Sequence, residues 1–87
     1  MDKNEQLLAQ LLYIFQASAL QGMGKMKNPV TDQIERNMEQ AQQSIDMLEA
    51  LKEKTKGNIS PELARVLDSF LTDLRLNYID EMNKDKN

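Results

Sequence analysis

A chain of 87 residues with net charge -3 makes one domain at most. It has neither cysteine nor histidine, which removes disulfides, thiol redox chemistry, the commonest general base and the commonest transition-metal ligand. Its acidic balance and 5% aromatic content, without tryptophan, argue against a nucleic-acid partner, because the overall field repels phosphates and few rings are present to stack on bases.

The first predicted element is a helix over about 4–23, with Leu7, Leu8, Leu11, Leu12, Phe15 and Ala19 recurring at helical spacing. The run "LLYIFQASAL" has the look of a leader with a small-residue cleavage site. The acidic residues Asp2 and Glu5 ahead of it and Gln10 and Gln16 inside it speak against that reading. It is also short of the about 20 apolar residues that a membrane span needs, so a cytoplasmic protein without a span is expected. "GMGKMKNPV" then breaks the helix, since Gly22 and Gly24 weaken it and Pro29 disfavours a helical Asn28.

A second helix is expected over about 32–56. Asp32 followed by Glu35 has capping-box spacing. Ile34, Met38, Ala41, Ile45 and Leu48 alternate by four and three, as in a coiled-coil seam. Lys52, Lys54 and Lys56 suit the negative end of the helix dipole, and Gly57 supplies a left-handed stop at C′. Ser60 as N-cap, Pro61 at the first position and Glu62 in the first turn open a third helix over 61–82. Its stripe is Leu63, Val66, Leu67, Phe70, Leu71, Leu74 and Tyr78, and a polar tail at 83–87 is expected to fray. The short turn makes helices two and three an antiparallel hairpin. The fold class is therefore all-α: a single three-helix domain.

Apolar residues exceed what three helices can shelter. Met47 and Leu51 fall to one side of the second stripe, Leu76 and Ile79 opposite the third, and Tyr13 and Leu20 off the first. Together with Leu7 and Leu11 they form the candidate contact surface. A second copy is the expected cover, because two-fold homodimers are the commonest soluble oligomers. A different protein partner and a membrane surface are the alternatives, although helix one lacks the basic face that anionic lipid attracts.

Few groups carry chemistry. "KEKTKGN" holds the ingredients of a phosphate cradle, but a Walker loop places its glycines before the lysine and at a helix start. Here the lysines sit at a helix C-terminus, where the dipole repels anions. A dipole-matched helix end is preferred over an anion or ligand site spanning Lys52–Ser60. The pairs Glu35/Glu39 and Glu49/Glu53 share faces, without the histidines that helical carboxylate metal sites usually add. No cofactor, metal or catalytic set is expected. Asp46 and Arg75, each set among apolar neighbours, are expected in a buried or interfacial ion pair or cap. The methionines are read as adaptable core filler.

The stretch "IDMLEALKEKTKGNIS" followed by "LDSFLTDLRLNYI" resembles the pattern of a bacterial family, the domain of unknown function 1844. The likeness rests on Ile45-Asp46, Leu48, Leu51, Lys54-Thr55, Gly57-Asn58 and Leu74-Arg75, with a looser likeness through "LLYIFQASALQGMG". It implies a cytosolic helical protein with no assigned activity, and it draws attention to Asp46, Lys54, Thr55, Gly57, Asn58 and Arg75.

Overall fold

The computed structural model describes residues 1–86 as three helices: α1 (Lys3–Gly22), α2 (Met38–Thr55) and α3 (Pro61–Asp85). Each opens on a side-chain cap. Asp2 Oδ1 accepts from the backbone N–H of Glu5 (2.8 Å), Asn37 Oδ1 from Gln40 (3.2 Å) and Ser60 Oγ from Leu63 (3.2 Å). These caps satisfy donors that have no partner inside the helix.

The Ser60-Pro61 start is as expected, whereas the second helix begins six residues later than the sequence pattern indicates. Asp32 does not cap it: it takes a left-handed backbone, with φ +56°. Asn28 closes the segment into a tight loop. Its N–H donates to Gln33 O (2.8 Å), its O accepts from Asp32 N–H (2.7 Å), and its Oδ1 accepts from Val30 N–H (2.8 Å). Its side-chain amide also donates to Glu35 Oε2 (3.2 Å), taking the carboxylate that a capping box would use. Ile34 consequently leaves the expected seam and is exposed. The first helix runs one residue ahead of the expected 4–23. The third continues past the expected end at 82 to Asp85, with Lys86 as its C-cap, and the last residue of the expected tail, Asn87, lies outside the described residues.

Side-chain pairings give the topology. Ser18 meets Gln40 and Ser44, and Gly22 packs on Asn37 and Ala41, so α1 and α2 are antiparallel. Lys52 pairs with Asp68 (2.9 Å), Glu49 with Arg75 (2.9 Å) and Arg36 with Asp85 (2.9 Å), which makes α2 and α3 the expected antiparallel hairpin. Glu5 reaches Ser60, Tyr13 stands edge-on to Phe70 with centroids 5.2 Å apart, and Lys25 meets Glu81, so α1 and α3 run parallel. The result is an up-down-up bundle.

Its core comprises Leu12, Ala19 and Met23 from α1 and its cap, Ala41, Ile45 and Leu48 from α2, and Leu63, Leu67, Leu71 and Leu74 from α3. Each fully buried leucine contributes about 1.5–3 kcal/mol. Met23 fills the bottom of this core as an adaptable methionine should, while Met26, Met47 and Met82 are exposed.

With Lys56 as the C-cap of α2, Gly57 stands at C′ with the expected positive φ (+81°). Lys56 adopts φ -55°, ψ 124°, and Asn58 N–H donates to Thr55 O at 2.8 Å. The stop is therefore built as a type II turn with glycine at its third position. Nothing lies within 4 Å of where a Cβ would stand. Gly57→Ala should therefore cost only the conformational penalty, about 1 kcal/mol, read as a small shift in the urea midpoint with unchanged slope.

Candidate functional site

The α1–α2 seam carries the one surface on which several predicted contact residues meet. Ser18 touches Gln40 and Ser44 across the seam, with Ser44 Oγ donating to Ser18 Oγ at 2.9 Å. Because the helices are antiparallel, one heptad along each from these contacts, about 10 Å, stands Leu11 beside Met47 and Leu51. Leu7 and Ile14 lie within about 60° of the same line on α1. Leu7, Leu11, Ile14 and Met47 retain 53, 39, 62 and 45% of their surface. No charged residue occurs between Gln6 and Gly24. A solvent-facing helix in a monomer normally keeps a charged outer face; beyond its first turn this one offers only uncharged polar residues such as exposed Gln6 and Gln10.

The remaining predicted contacts scatter. Leu20 and Leu51 are half-buried and packed against the core, so their expected exposure is corrected. Tyr13 is exposed but turns toward α3, over Phe70 and Val66. Leu76 and Ile79 are exposed on α3, away from the α1–α2 seam. Ile14 is the residue that the sequence reading passed over. Its signal was present, since Leu7, Leu11 and Ile14 are spaced four and three.

Neither Asp46 nor Arg75 is buried. Arg75 does form an ion pair within the hairpin, to Glu49. Asp46 accepts from Gln42 Nε2 at 2.8 Å, one turn away on its own helix. Both interactions are solvent-screened and worth little.

The Lys-rich turn is occupied by the chain itself. Glu5 Oε2 accepts the Ser60 N–H at 2.6 Å, placing a carboxylate at the α3 N-terminus, where an incoming anion would otherwise be favoured. Lys52 is paired to Asp68. Thr55 Oγ1 donates to Leu51 O at 2.6 Å, Asn58 braces the type II turn through its backbone, and Lys54 is exposed. A shallow cleft of about 180 Å³ remains between Lys52, Lys56, Ile59 and Leu67.

The densest electrostatics lie at the opposite end of the bundle. Glu81, only 8% exposed, meets Lys84 at 2.9 Å, Arg36 at 3.5 Å and Lys25 at 3.6 Å. Arg36 also holds both Asp85 oxygens at 2.9 Å, and that hydrogen bond is the main cause raising the Arg36 pKa. The loop between α1 and α2 is thus clamped onto α3. The Lys84 hydrogen bond, then the charges of Lys84, Lys25 and Arg36, hold the Glu81 carboxyl below its ordinary range against the opposing effect of burial. A depressed carboxylate contributes stability above the unfolded glutamate pKa, and that contribution is lost as pH falls through the folded value. Thermal melts of wild type and Glu81→Gln should therefore differ most near neutral pH and converge in acid. A constant gap across that range would remove the charge network as the cause.

Among the described residues no helix is long and apolar enough to cross a membrane. The family model described as Domain of unknown function (DUF1844) matches residues 4–80. No curated protein and no solved structure matches the chain.

Proposed function

Because the chain belongs to the DUF1844 family, whose description assigns no activity, we propose a role read from its surface. It is a non-catalytic bacterial cytoplasmic protein that self-associates and acts through protein–protein contacts. The carrying observation is the charge-free stretch of α1 after Gln6, with Leu7, Leu11 and Ile14 exposed beside Met47. A contiguous apolar patch rimmed by polar residues marks an association surface. The rival anion-binding role for the Lys52–Ser60 turn is less well supported, since Glu5 and Asp68 already engage its Ser60 N–H and its Lys52.

Leu11→Asp places a charge at the centre of this face without touching the buried core. Sedimentation velocity should show the variant as a monomer where the wild type is assembled, at equal helix content by circular dichroism. Leu76→Asp, on the far face, should sediment like wild type. If Leu11→Asp assembled as well as wild type, this surface would have no part in association.

A further inference from the structure

Resting on the self-association reading, we infer that the occupant of the α1–α2 face is the same face of a second copy, with the two α1 helices antiparallel about a two-fold axis at Leu11. Three observations lead there. The line on α1 reads Asn4, Leu7, Leu11, Ile14, Ser18, exposed from Asn4 to Ile14 and half-buried at Ser18, where α2 closes on it: polar, three apolar, polar, and nearly symmetric about Leu11. Run antiparallel against itself, it sets Leu7 opposite Ile14, Leu11 opposite Leu11, and Asn4 opposite Ser18. A two-fold interface requires this kind of self-complementarity.

Charge favours the same occupant. Each copy carries net charge -3, so two copies meet at least cost where neither presents charge, and α1 from Gln6 to Gly24 is that place. A partner recognised through opposite charge would find nothing here to recognise. Antiparallel α1 helices also set opposite dipole ends side by side, whereas a parallel pair would align like ends.

The exposed parts of Leu7, Leu11, Ile14 and Met47 on two copies supply most of the about 1,000 Å² at the lower bound for a specific interface, and exposed Ala50 lies alongside. Met47 and Leu51 flank Leu11, so each α1 seats against both helices of its partner.

The absence of native cysteine makes the arrangement directly testable by crosslinking of the full chain. Under mild oxidation Leu11→Cys should give a covalent dimer by itself. Leu7→Cys and Ile14→Cys should each link poorly alone and efficiently when the two variants are mixed and allowed to exchange subunits. Leu76→Cys should not link. Self-linking of Leu7→Cys and of Ile14→Cys without the mixed product would mean parallel helices. Linking through Leu76→Cys in place of Leu11→Cys would move the interface to α3, and either result overturns the arrangement. The unmodified wild type separates the two levels. If it is dimeric while the crosslinking pattern fails, only the arrangement falls; if it is monomeric, the self-association reading falls too.

Discussion

Gly22→Ala is expected to destabilise the fold by about 2 kcal/mol, within the range for overpacking a tight interior, although alanine is the better helix former by about 1 kcal/mol. The reason is where Gly22 stands. Its O accepts the Asn37 N–H at 2.8 Å, and a Cβ there would lie 2.7 Å from both Ala41 N and Asn37 O. Those atoms are backbone at the start of α2 and have no rotamer to escape into, so α1 and α2 must separate and open the interface held by Ala19, Ala41 and Ser44. Urea unfolding of both proteins measures this. A variant as stable as wild type would mean that the helices can part here at no cost. Gly57 is the natural contrast: it has positive φ and open space around it, so its alanine variant should lose only about half as much.

Leu48→Ala should cost more, about 3 kcal/mol, from the usual sum of lost transfer energy and residual cavity. Leu48 is fully buried at the middle of α2. The Ser18–Ser44 contact places it level with Leu12, and the Lys52–Asp68 and Glu49–Arg75 pairs place it level with Leu71 and Leu74, so all three helices line the hole left behind. A domain of this length commands roughly 4–13 kcal/mol in total, so the variant should be near the edge of folding at body temperature. Leu48→Met conserves volume and should lose less than about 1.5 kcal/mol. Equal losses in the two variants would show that shape rather than volume governs this position.

Much of this architecture was legible from local chemistry. The α3 start needed only Ser60, Pro61 and Glu62, and the heptad-like spacing of Ala41, Ile45 and Leu48 identified the buried face of α2. The α2 start was not legible, because the cap that the fold uses, Asn37, lacks the capping-box spacing that marks Asp32. Asp32 has the better local pattern, yet the hydrogen bonds of Asn28 to Gln33, Val30 and Glu35 hold that segment in a loop and hand the cap to Asn37. A pattern of the same spacing, Asp2 then Glu5, does begin a helix, but Glu5 turns to Ser60 rather than back to its own N-terminus. No local rule ranks these.

The Glu81 cluster was hidden for a different reason. Lys25, Arg36 and Glu81 are brought together only by the bundle's closure, and Glu81 occupies a position in sequence that looks like ordinary solvated surface. Asp46 and Arg75, which stood out by their apolar neighbours, turned out exposed, because a helix presents neighbouring residues to different sides. The same geometry explains Ile14. Its exposure depends on which sides of α1 are taken by α2 and α3, and only the Ser18 and Tyr13 contacts reveal that. Once they are known, the four-three spacing of Leu7, Leu11 and Ile14 reads as an outward seam rather than part of the core.

Sedimentation velocity of the wild-type chain at micromolar concentration bears most directly on the claim that this outward seam is covered by a second copy. A species of twice the 10.0 kDa chain mass, dissociating on dilution, is the predicted result. A single species at the chain mass throughout would contradict it.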